Sequence, residues 1–447
     1  MKKILKFGGS SIANAERIQQ VLSIIENTLN SSHEIFVVIS AFQGVTDALI
    51  KIGTTVRDGK YNETSLSEIL SKHEEIIMQL GLDTDMHLGT HFKQLSSELE
   101  KHIPRCPGAS VDFKMWMDEL LCYGELFSVR ILTGLLRSKH IDAELLDARK
   151  VVVTDSNYGN AYVHYQRSYD RIRSYVSNRS RLQIITGFLG ANEYGKATTL
   201  GRSGSDYSAS IFGAALNVDE IEIWTDVDGI LTANPKFVNE PRSISELTYE
   251  EAMELAHAGA KVIFPPTMIP ALYKHIPIIV KNTFHPELPG TRIAQERVLA
   301  GEITVGISSV SNVSLIRMQG AGMVGVKGIN ARLFTCLADK GISVMLVSQA
   351  FSEHSTCFAL KPEETDLALM VIDDEFAKEL KAKYIDKILV EDELSLVAVV
   401  GEGMQNTPGI AGLVFEVLGR ERINVAAIAQ GSSKRNISFI VHDNEAQ

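Results

Sequence analysis

The chain has 447 residues, of which 45% are hydrophobic and 22% charged, and its formal net charge at pH 7 is −11. This composition predicts two or three folded domains and argues against nucleic acid or an anionic membrane surface as the main partner. The four cysteines show neither metal-ligand nor disulfide spacing, and no apolar run is long enough to cross a bilayer. We therefore expect a cytoplasmic protein.

The chain begins with a predicted strand at 3–7, followed by a turn of Gly8, Gly9 and Ser10 and then by a helical pattern. A strand, a glycine turn and a helix together form a common anion-binding unit, because backbone N–H groups at the helix start point at the ligand. Lys6 stands near the strand end and is placed to reach a phosphate. An ordinary tight turn is the alternative for this segment taken alone.

Two further segments contribute candidate polar groups. A buried strand is predicted at 35–39, and it runs into a segment that carries the hydroxyls of Ser40 and Thr46. A long helix with a wide apolar face is predicted at 113–136. Its Glu125 either meets a ligand amine or is a solvated helix glutamate, and the residue type alone favours the solvated alternative.

The stretch 200–229 is the centre of the predicted site, because a glycine loop, a helix and a strand there bring polar groups to one sheet edge. Gly201 and Gly204 allow the backbone to approach a ligand closely, and Asp206 is predicted to open the helix. The strand at 220–224 ends on polar residues, and open α/β sheets bind ligands just beyond such strand ends. A nucleotide site is therefore predicted, with two ordinary strand-to-helix turns as the alternative.

The rest of the first domain continues the alternation of strands and helices. The segment 248–251 is a capping box that starts a helix ending near Gly259. Lys261 follows, either as a cation that complements the helix dipole or as one that binds a nucleotide. A strand at 276–280 is predicted to be the last of this domain. The alternation as a whole indicates a mainly parallel α/β sheet.

The last third of the chain contains an internal repeat with a constant offset of 81 residues and no gaps. Gly320 aligns with Gly401, for example, and Gln349 aligns with Gln430. Each copy is predicted to form a strand, a glycine turn, an amphipathic helix and two further strands, which is a βαββ unit. A purely structural dimerisation module is the alternative to a ligand-binding one.

Four motifs that occur in order along the chain resemble those of aspartate kinase, in the amino-acid kinase superfamily. They are KFGGS at 6–10, GRSGSD at 201–206, WTDVDG at 224–229 and GAKV at 259–262. The repeat resembles a pair of ACT domains, and the match is closest to bifunctional aspartate kinase/homoserine dehydrogenases. The resemblance implies an α/β amino-acid kinase fold, with a mainly parallel sheet sandwiched by helices, followed by two ACT-like βαββ units. The implied domains are 1–298, 299–390 and 391–447.

The resemblance also implies an activity, which is phosphorylation of the side-chain carboxylate of L-aspartate by MgATP to give 4-phospho-L-aspartate. This is the entry step to lysine, threonine and methionine. The implied catalytic residues are Lys6 and Asp206, and the implied phosphate loop is Gly8, Gly9 and Ser10. The implied aspartate-binding residues are Ser40, Thr46, Glu125, Arg202 and Ser205. The implied ATP-binding residues are Thr225, Asp226, Lys236, Lys261 and Val262. No protein side chain is assigned to the metal.

Three positions depart from the usual pattern of that family. Leu231 stands in place of tyrosine, Lys236 in place of arginine and Phe264 in place of histidine. We interpret them as altered details of the adenine pocket or of packing.

Two other functions are weighed against a regulated aspartate kinase. One is a kinase of the same superfamily that acts on another small molecule, and the ACT pair and the loop at 202–206 argue against it. The other is a non-catalytic amino-acid sensor, against which the intact Lys6, Arg202, Asp206 and Lys261 argue.

The resemblance further implies feedback control by an amino acid that binds at the repeat, and homo-oligomers formed through the ACT units. The implied effector-binding residues are Gln349, Gln430 and Asn330. Threonine is the favoured effector and lysine the next, and Phe351 departs from the usual serine.

The second copy of the repeat stops at 443–447, where the first copy continues into a predicted helix at 363–383 and a strand at 385–390. We therefore expect this chain to be a fragment and the unit at 391–447 to be truncated. The resemblance implies that a homoserine dehydrogenase domain follows in the parent protein, so no NAD(P)-dependent activity is expected here.

Overall fold

The computed structural model describes residues 1–31, 34–177, 179–180, 182–260, 262–297, 303–349, 354–431 and 433–446. Contacts between residues divide the chain into two compact units. The first unit comprises Met1–Ile230, Ser243–Tyr249 and Val262–Val298, and the second comprises Leu231–Arg242, Glu250–Lys261 and Leu299–Gln447. The domain boundaries predicted at 298/299 and 390/391 stay predictions.

The elements are numbered in chain order. The strands are β1 Lys2–Phe7, β2 Glu34–Ile39, β3 Ala143–Leu146, β4 Val153–Thr154, β5 Leu182–Thr186, β6 Leu189–Asn192, β7 Ala197–Thr199, β8 Glu220–Thr225, β9 Glu246–Thr248, β10 Ile278–Asn282, β11 Thr291–Ala294, β12 Gly306–Gln319, β13 Leu346–Gln349, β14 Ser355–Leu360, β15 Lys387–Val400, β16 Ala427–Gln430 and β17 Asn436–His442. The helices are α1 Ala15–Ser31, α2 Val45–Arg57, α3 Thr64–Gln79, α4 Met86–His102, α5 Phe113–Ser138, α6 Tyr165–Val176, α7 Gly204–Leu216, α8 Tyr249–His257, α9 Pro265–Tyr273, α10 Ile329–Asp339, α11 Thr365–Glu375, α12 Ala377–Lys381 and α13 Ile410–Arg420.

The first unit is built on an eight-stranded sheet in the order β3-β5-β2-β1-β8-β10-β11-β9. The strands from β3 to β10 in this order are all parallel, which confirms the predicted mainly parallel sheet. Their apolar runs are buried because helices cover a parallel sheet on both faces. The registers pair Phe7 with Ile39 and with Trp224, so the carboxyl ends of β1, β2 and β8 meet at one edge.

The prediction that 276–280 is the last strand of this region is wrong. The strand β10 lies at Ile278–Asn282, and β11 follows it, antiparallel to β10 and parallel to β9. Both added strands are short, so their sequence pattern is weak, and their pairing joins segments far apart in the chain. A separate three-stranded sheet, β4-β6-β7, contains a hairpin turn between β6 and β7.

The second unit contains a six-stranded antiparallel sheet in the order β13-β14-β12-β15-β17-β16. The two copies of the repeat give β12, α10, β13 and β14, and then β15, α13, β16 and β17, which confirms the predicted pair of βαββ units. The first copy continues into α11 and α12, in place of the single helix predicted at 363–383. The strand predicted at 385–390 is the beginning of β15, so one strand serves both copies.

Among the helices of the described residues, none has the length and apolar character that a bilayer span requires.

Candidate active site

The two predicted catalytic residues form a buried ion pair. The Nζ atom of Lys6 lies 2.6 Å from Oδ1 of Asp206, and each residue is only 8% exposed. Lys6 is the penultimate residue of β1, in the middle of the sheet. Asp206 is the third residue of α7, which begins at Gly204, two residues before the predicted helix start. A carboxylate at this position holds the ammonium group at the edge of the sheet in a direction fixed by two rigid elements.

The glycine turn after β1 lies beside this ion pair. A Cβ atom at Gly8 would stand 3.4 Å from Nζ of Lys6, and one at Gly9 would stand 3.0 Å from the carbonyl oxygen of Ala41. The backbone N–H of Gly8 donates to the carbonyl of Trp224, at 3.3 Å. The turn is therefore packed closely against neighbouring strand ends, next to the Lys6 ammonium.

The hydroxyls of Ser40 and Ser205 meet at the end of β2, where Ser40 donates to Ser205 at 2.7 Å. The Oγ of Ser128, on α5, donates to the carbonyl of Ser40 at 2.7 Å. Gly187 was not predicted to belong to this site, although a Cβ atom there would stand only 2.6 Å from Cβ of Ser205. Its signal was a glycine directly after a buried strand, which marks a close approach of backbone to a neighbour.

Glu125 is 3% exposed, so the solvated interpretation that its residue type favoured is wrong. The N–H of Ala41 donates to its Oε1 at 3.1 Å, while its Oε2 is buried without a hydrogen-bond partner among the described residues. Burial raises the pKa of this carboxyl to about 8. Gly124 permits this arrangement, because a Cβ atom there would stand 2.8 Å from Cβ of Ala41. An unpaired, buried carboxylate oxygen is a strong acceptor for a ligand cation.

Arg202 lies in the loop between β7 and α7, and its guanidinium is exposed. Gly201 and Ser203 on either side of it have positive φ angles of 75° and 53°. The guanidinium stands 5.4 Å from the centre of the Phe264 ring, a cation–π contact. Phe264 is one of the three departures from the family pattern, and here it packs against a predicted substrate-binding side chain. Thr46 is the second residue of α2, in the helical turn that follows the Ser40 segment.

The ends of β8 and β10 carry the polar groups on the other side of Lys6. Thr225 donates to Asp226 at 3.2 Å. The carboxylate of Asp228 accepts hydrogen bonds from Asn282, at 2.6 Å, and from His285, at 3.0 Å, and these two bonds lower its pKa. Asn282 and His285 were not predicted, because only the pairing of β10 with β8 brings them to this edge.

Three further residues were predicted to contact the nucleotide, namely Lys236, Lys261 and Val262. Lys236 and Leu231 lie in the segment that belongs to the second unit, where the N–H of Lys236 donates to Asn234 at 3.0 Å. Lys261 lies outside the described residues. Val262 belongs to the first unit. The roles of Lys236, Lys261 and Val262 stay predictions.

The predicted effector residues of the first repeat copy line one cavity of about 530 Å³. Asn330 donates to Gln349 at 2.8 Å and accepts from the buried hydroxyl of Thr356 at 3.2 Å. The second copy differs 81 residues later, where Ala411 replaces the asparagine and Ile437 replaces the threonine. Gln430 is thus paired across the strands with an isoleucine. The described residues assemble the polar cluster only in the first copy.

Two family profiles match the chain. The amino acid kinase family matches residues 1–282, and an ACT domain matches residues 316–376 and 397–447. Among solved structures, E. coli aspartokinase III in complex with aspartate and ADP matches 100% of this chain and 97% of its own, with a TM-score of 0.83 and 28% identity. The aspartate kinase of Clostridium acetobutylicum matches 99% and 97% of the two chains, also with a TM-score of 0.83 and 28% identity.

Curated relatives agree with these matches. The bifunctional aspartokinase/homoserine dehydrogenase of Haemophilus influenzae is 33% identical over 453 residues, covering 99% of this chain and 55% of the relative. The chain spans about half the length of such bifunctional relatives. The chloroplastic aspartokinase 2 of Arabidopsis thaliana is 33% identical over 458 residues, covering 99% of this chain and 82% of the relative. The chain therefore belongs to the amino acid kinase family and, within it, to the aspartokinases.

Proposed function

We propose that the chain transfers the γ-phosphoryl group of MgATP to the side-chain carboxylate of L-aspartate and so forms 4-phospho-L-aspartate. The observation that carries the proposal is the buried pair of Lys6 and Asp206 beside the glycine turn, together with the unpaired oxygen of Glu125, a residue of α5 that accepts a hydrogen bond from the segment after β2. The family match and the aspartate and ADP bound by the E. coli relative support the same assignment.

The reaction asks little covalent chemistry of the protein. A substrate carboxylate oxygen attacks the γ-phosphorus, the bond from that phosphorus to the β–γ bridging oxygen breaks, and ADP leaves. Because the carboxylate is already ionised, no general base is needed, and catalysis consists of positioning and charge stabilisation. Lys6 then neutralises charge on the transferring group, and Asp206 holds Lys6 in place. Arg202 binds a substrate carboxylate, and Glu125 binds the substrate ammonium.

The nucleotide fits the residues at this edge. Backbone N–H groups of the glycine turn and the Lys6 ammonium suit phosphate oxygens. The described residues contain no group of three His, Cys, Asp or Glu side chains placed to hold a metal ion. Mg²⁺ commonly keeps several waters and binds through phosphate oxygens, so we propose that the metal is held mainly by the nucleotide. MgATP supplies the phosphoryl group and part of the charge neutralisation when bound.

The experiment is an ADP-release assay with L-aspartate, with L-glutamate and without an acceptor. ADP formation that depends on L-aspartate, together with an acyl phosphate trapped by hydroxylamine, is the expected result. Turnover with glutamate but not with aspartate would identify another kinase of the superfamily. Binding of amino acids without any turnover would identify a sensor.

We also propose that an amino-acid effector binds in the cavity that contains Asn330 and Gln349, and that this effector is threonine in preference to lysine. The two amides and the hydroxyl of Thr356 suit a hydroxyl-bearing ligand. Among the described residues that line the cavity, Lys327 is cationic and none is acidic. The side-chain ammonium of a bound lysine would therefore have no counter-charge there. The test is inhibition of the aspartate-dependent rate by each amino acid. Stronger inhibition by lysine would overturn the preference.

Three wider statements rest on the family resemblance and are proposals. The product serves the synthesis of lysine, threonine and methionine. The chain forms homo-oligomers through its ACT units. The protein acts in the cytoplasm. Its kinase region is 1–298, and its ACT-like units are 299–390 and 391–447.

A further inference from the structure

The helix α5 presents three buried polar side chains to the surrounding loops. Asp118 and Glu125 are seven residues apart and therefore share a helix face, with about 10.5 Å between them along the axis. Ser128 follows Glu125 after three residues. All three are at most 3% exposed.

Asp118 holds two separate segments of backbone. Its Oδ2 accepts from the N–H of Thr199 at 2.8 Å and from the N–H of Gly159 at 3.0 Å, and its Oδ1 accepts from the hydroxyl of Thr199 at 2.8 Å. The two segments are also joined directly, because the N–H of Ala161 donates to the carbonyl of Thr199 at 3.0 Å. One carboxylate thus fixes the end of β7 and the loop that precedes α6.

Both segments that Asp118 holds are adjacent to the loop that carries Arg202. Thr199 is the last residue of β7 and lies three positions before Arg202. On the other side, a Cβ atom at Gly201 would stand only 2.4 Å from Oδ1 of Asn160, the neighbour of Gly159. The Arg202 loop has positive φ angles at two positions, a backbone conformation that persists where its surroundings hold it.

The other end of the same helix face holds the opposite side of the site. Glu125 accepts from the N–H of Ala41, and Ser128 donates to the carbonyl of Ser40. The helix α5 is therefore attached by side chains to the Ser40 segment and, about two turns away, to the segments that carry Arg202.

The charge of Asp118 is not explained by an ion pair. Its three donors are neutral, and no basic side chain of the described residues lies within ion-pair distance of it. Burial raises its pKa above the ordinary value, and the hydrogen bonds from Gly159 and Thr199 oppose that rise. A buried carboxylate without a counter-charge is a poor source of stability, whereas its several acceptor sites fix the geometry of several donors at once.

We propose that Asp118 is a positioning residue that sets the distance between Arg202 and Glu125 and thereby how well the amino dicarboxylic acid fits the site. This inference rests on the proposed function, in which Arg202 binds a substrate carboxylate and Glu125 binds the substrate ammonium. Asp118 itself does not touch the substrate.

The test compares Asp118→Ala, Asp118→Asn and, as a control, Thr133→Val. Thr133 is a buried residue of the same helix whose hydroxyl donates only within the helix, to Val129. For Asp118→Ala we expect the KM for aspartate to rise between about 10-fold and about 100-fold, as for a binding group displaced by about 1 Å. The KM for ATP should change less than about twofold, because the displaced Arg202 loop binds the amino acid and not the nucleotide. The preference for aspartate over glutamate should shrink, because the displaced loop no longer fits aspartate closely.

Asp118→Asn keeps an oxygen for the two N–H donors and offers an N–H to the hydroxyl of Thr199, so it should restore the KM to within about threefold of the original. The control should leave both KM values and the acceptor preference unchanged. An unchanged KM for aspartate in folded Asp118→Ala protein would overturn the inference. If Asp118→Ala does not fold, Asp118→Ser takes its place, because the shorter side chain cannot hold both segments, and an unchanged KM for aspartate in folded Asp118→Ser protein would overturn the inference.

Amide hydrogen exchange separates this inference from the proposed function. The Gly159 and Thr199 amides should exchange faster in Asp118→Ala, and the 200–204 segment with them, while β1 keeps its protection. If the unaltered chain shows no turnover with aspartate, the proposed function fails, and the exchange result still decides whether Asp118 holds the Arg202 loop.

Discussion

The hydroxyl of Ser40 donates to the hydroxyl of Ser205 at 2.7 Å, although 165 residues separate the two in the chain. Ser40 follows β2 and Ser205 is the second residue of α7, so the hydrogen bond joins the segment after β2 to the start of this helix at the carboxyl edge of the sheet. The site is thus assembled from segments whose proximity depends on strand order rather than on sequence spacing.

Replacing Lys6 with methionine tests the central ion pair. We expect kcat to fall by about 10²-fold to 10³-fold, because the developing charge on the phosphoryl group loses a preorganised cation. Lys3→Met is the matched control. Lys3 lies on the same strand as Lys6, but its Nζ atom forms an ion pair with Glu222, at 3.1 Å, and Glu222 is not part of the site. Near-normal turnover in folded Lys6→Met protein would contradict the catalytic assignment.

The raised pKa of Glu125 predicts a pH dependence of substrate binding. Below its pKa of about 8, the free protein carries this carboxyl protonated, and binding of an ammonium group requires the ionised form. Aspartate binding should therefore release a proton, and affinity should fall up to about tenfold for each pH unit below 8. Calorimetry in buffers of different ionisation enthalpy measures the proton.

Glu125→Gln should remove this proton release and raise the KM for aspartate, while nucleotide affinity stays unchanged. A parallel loss of ATP affinity would show that the site is not divided as proposed.

His73 predicts a loss of stability on acidification. Its ring is buried between Phe42 and Phe127, with ring centroids 5.1 Å and 4.8 Å away, and burial lowers its pKa to about 4. Between its ordinary pKa of 6.5 and about 4, the unfolded chain binds a proton that the folded chain does not. The free energy of unfolding should therefore decrease as pH falls through this window, by up to about 3 kcal/mol near pH 4.

The measurement is urea unfolding at pH 7 and at pH 5 for the unaltered chain and for His73→Phe. The variant should lose less stability between the two pH values. An equal loss in both proteins would assign the acid sensitivity to other groups.

The two repeat copies should respond differently to mutation. Gln349→Ala removes the acceptor for Asn330 in the described cavity, and we expect the threonine concentration for half-inhibition to rise about tenfold, the value of one lost hydrogen bond in a polar site. Gln430→Ala should have a smaller effect, because its copy lacks the asparagine and the threonine. Each variant is compared with its own uninhibited rate. Equal desensitisation by both variants would show that the copies bind alike.

The sequence predicted those parts of the protein that leave a periodic or local signal. The parallel strands are continuous apolar runs, the repeat is ungapped, and the glycine turn follows β1 directly. The burial of Glu125 could not be predicted, because α5 is apolar over much of its circumference and its pattern does not say which polar residue faces inward. The contacts of Asp118 depend on segments about 40 and 80 residues away, for which no local pattern exists.

The position of β1 also has a consequence for synthesis of the chain. This strand is made before its sheet neighbours β2 and β8, yet it lies in the middle of the sheet, where Lys3 pairs in register with Glu220 of β8. One edge of the apolar strand β1 stays unpaired until β8 has emerged from the ribosome. By then more than half of the residues of the first unit have been made. Such an edge pairs readily with other chains. A chain shortened before β8 should therefore aggregate, and efficient production of the whole protein should depend on chaperones that cover this edge.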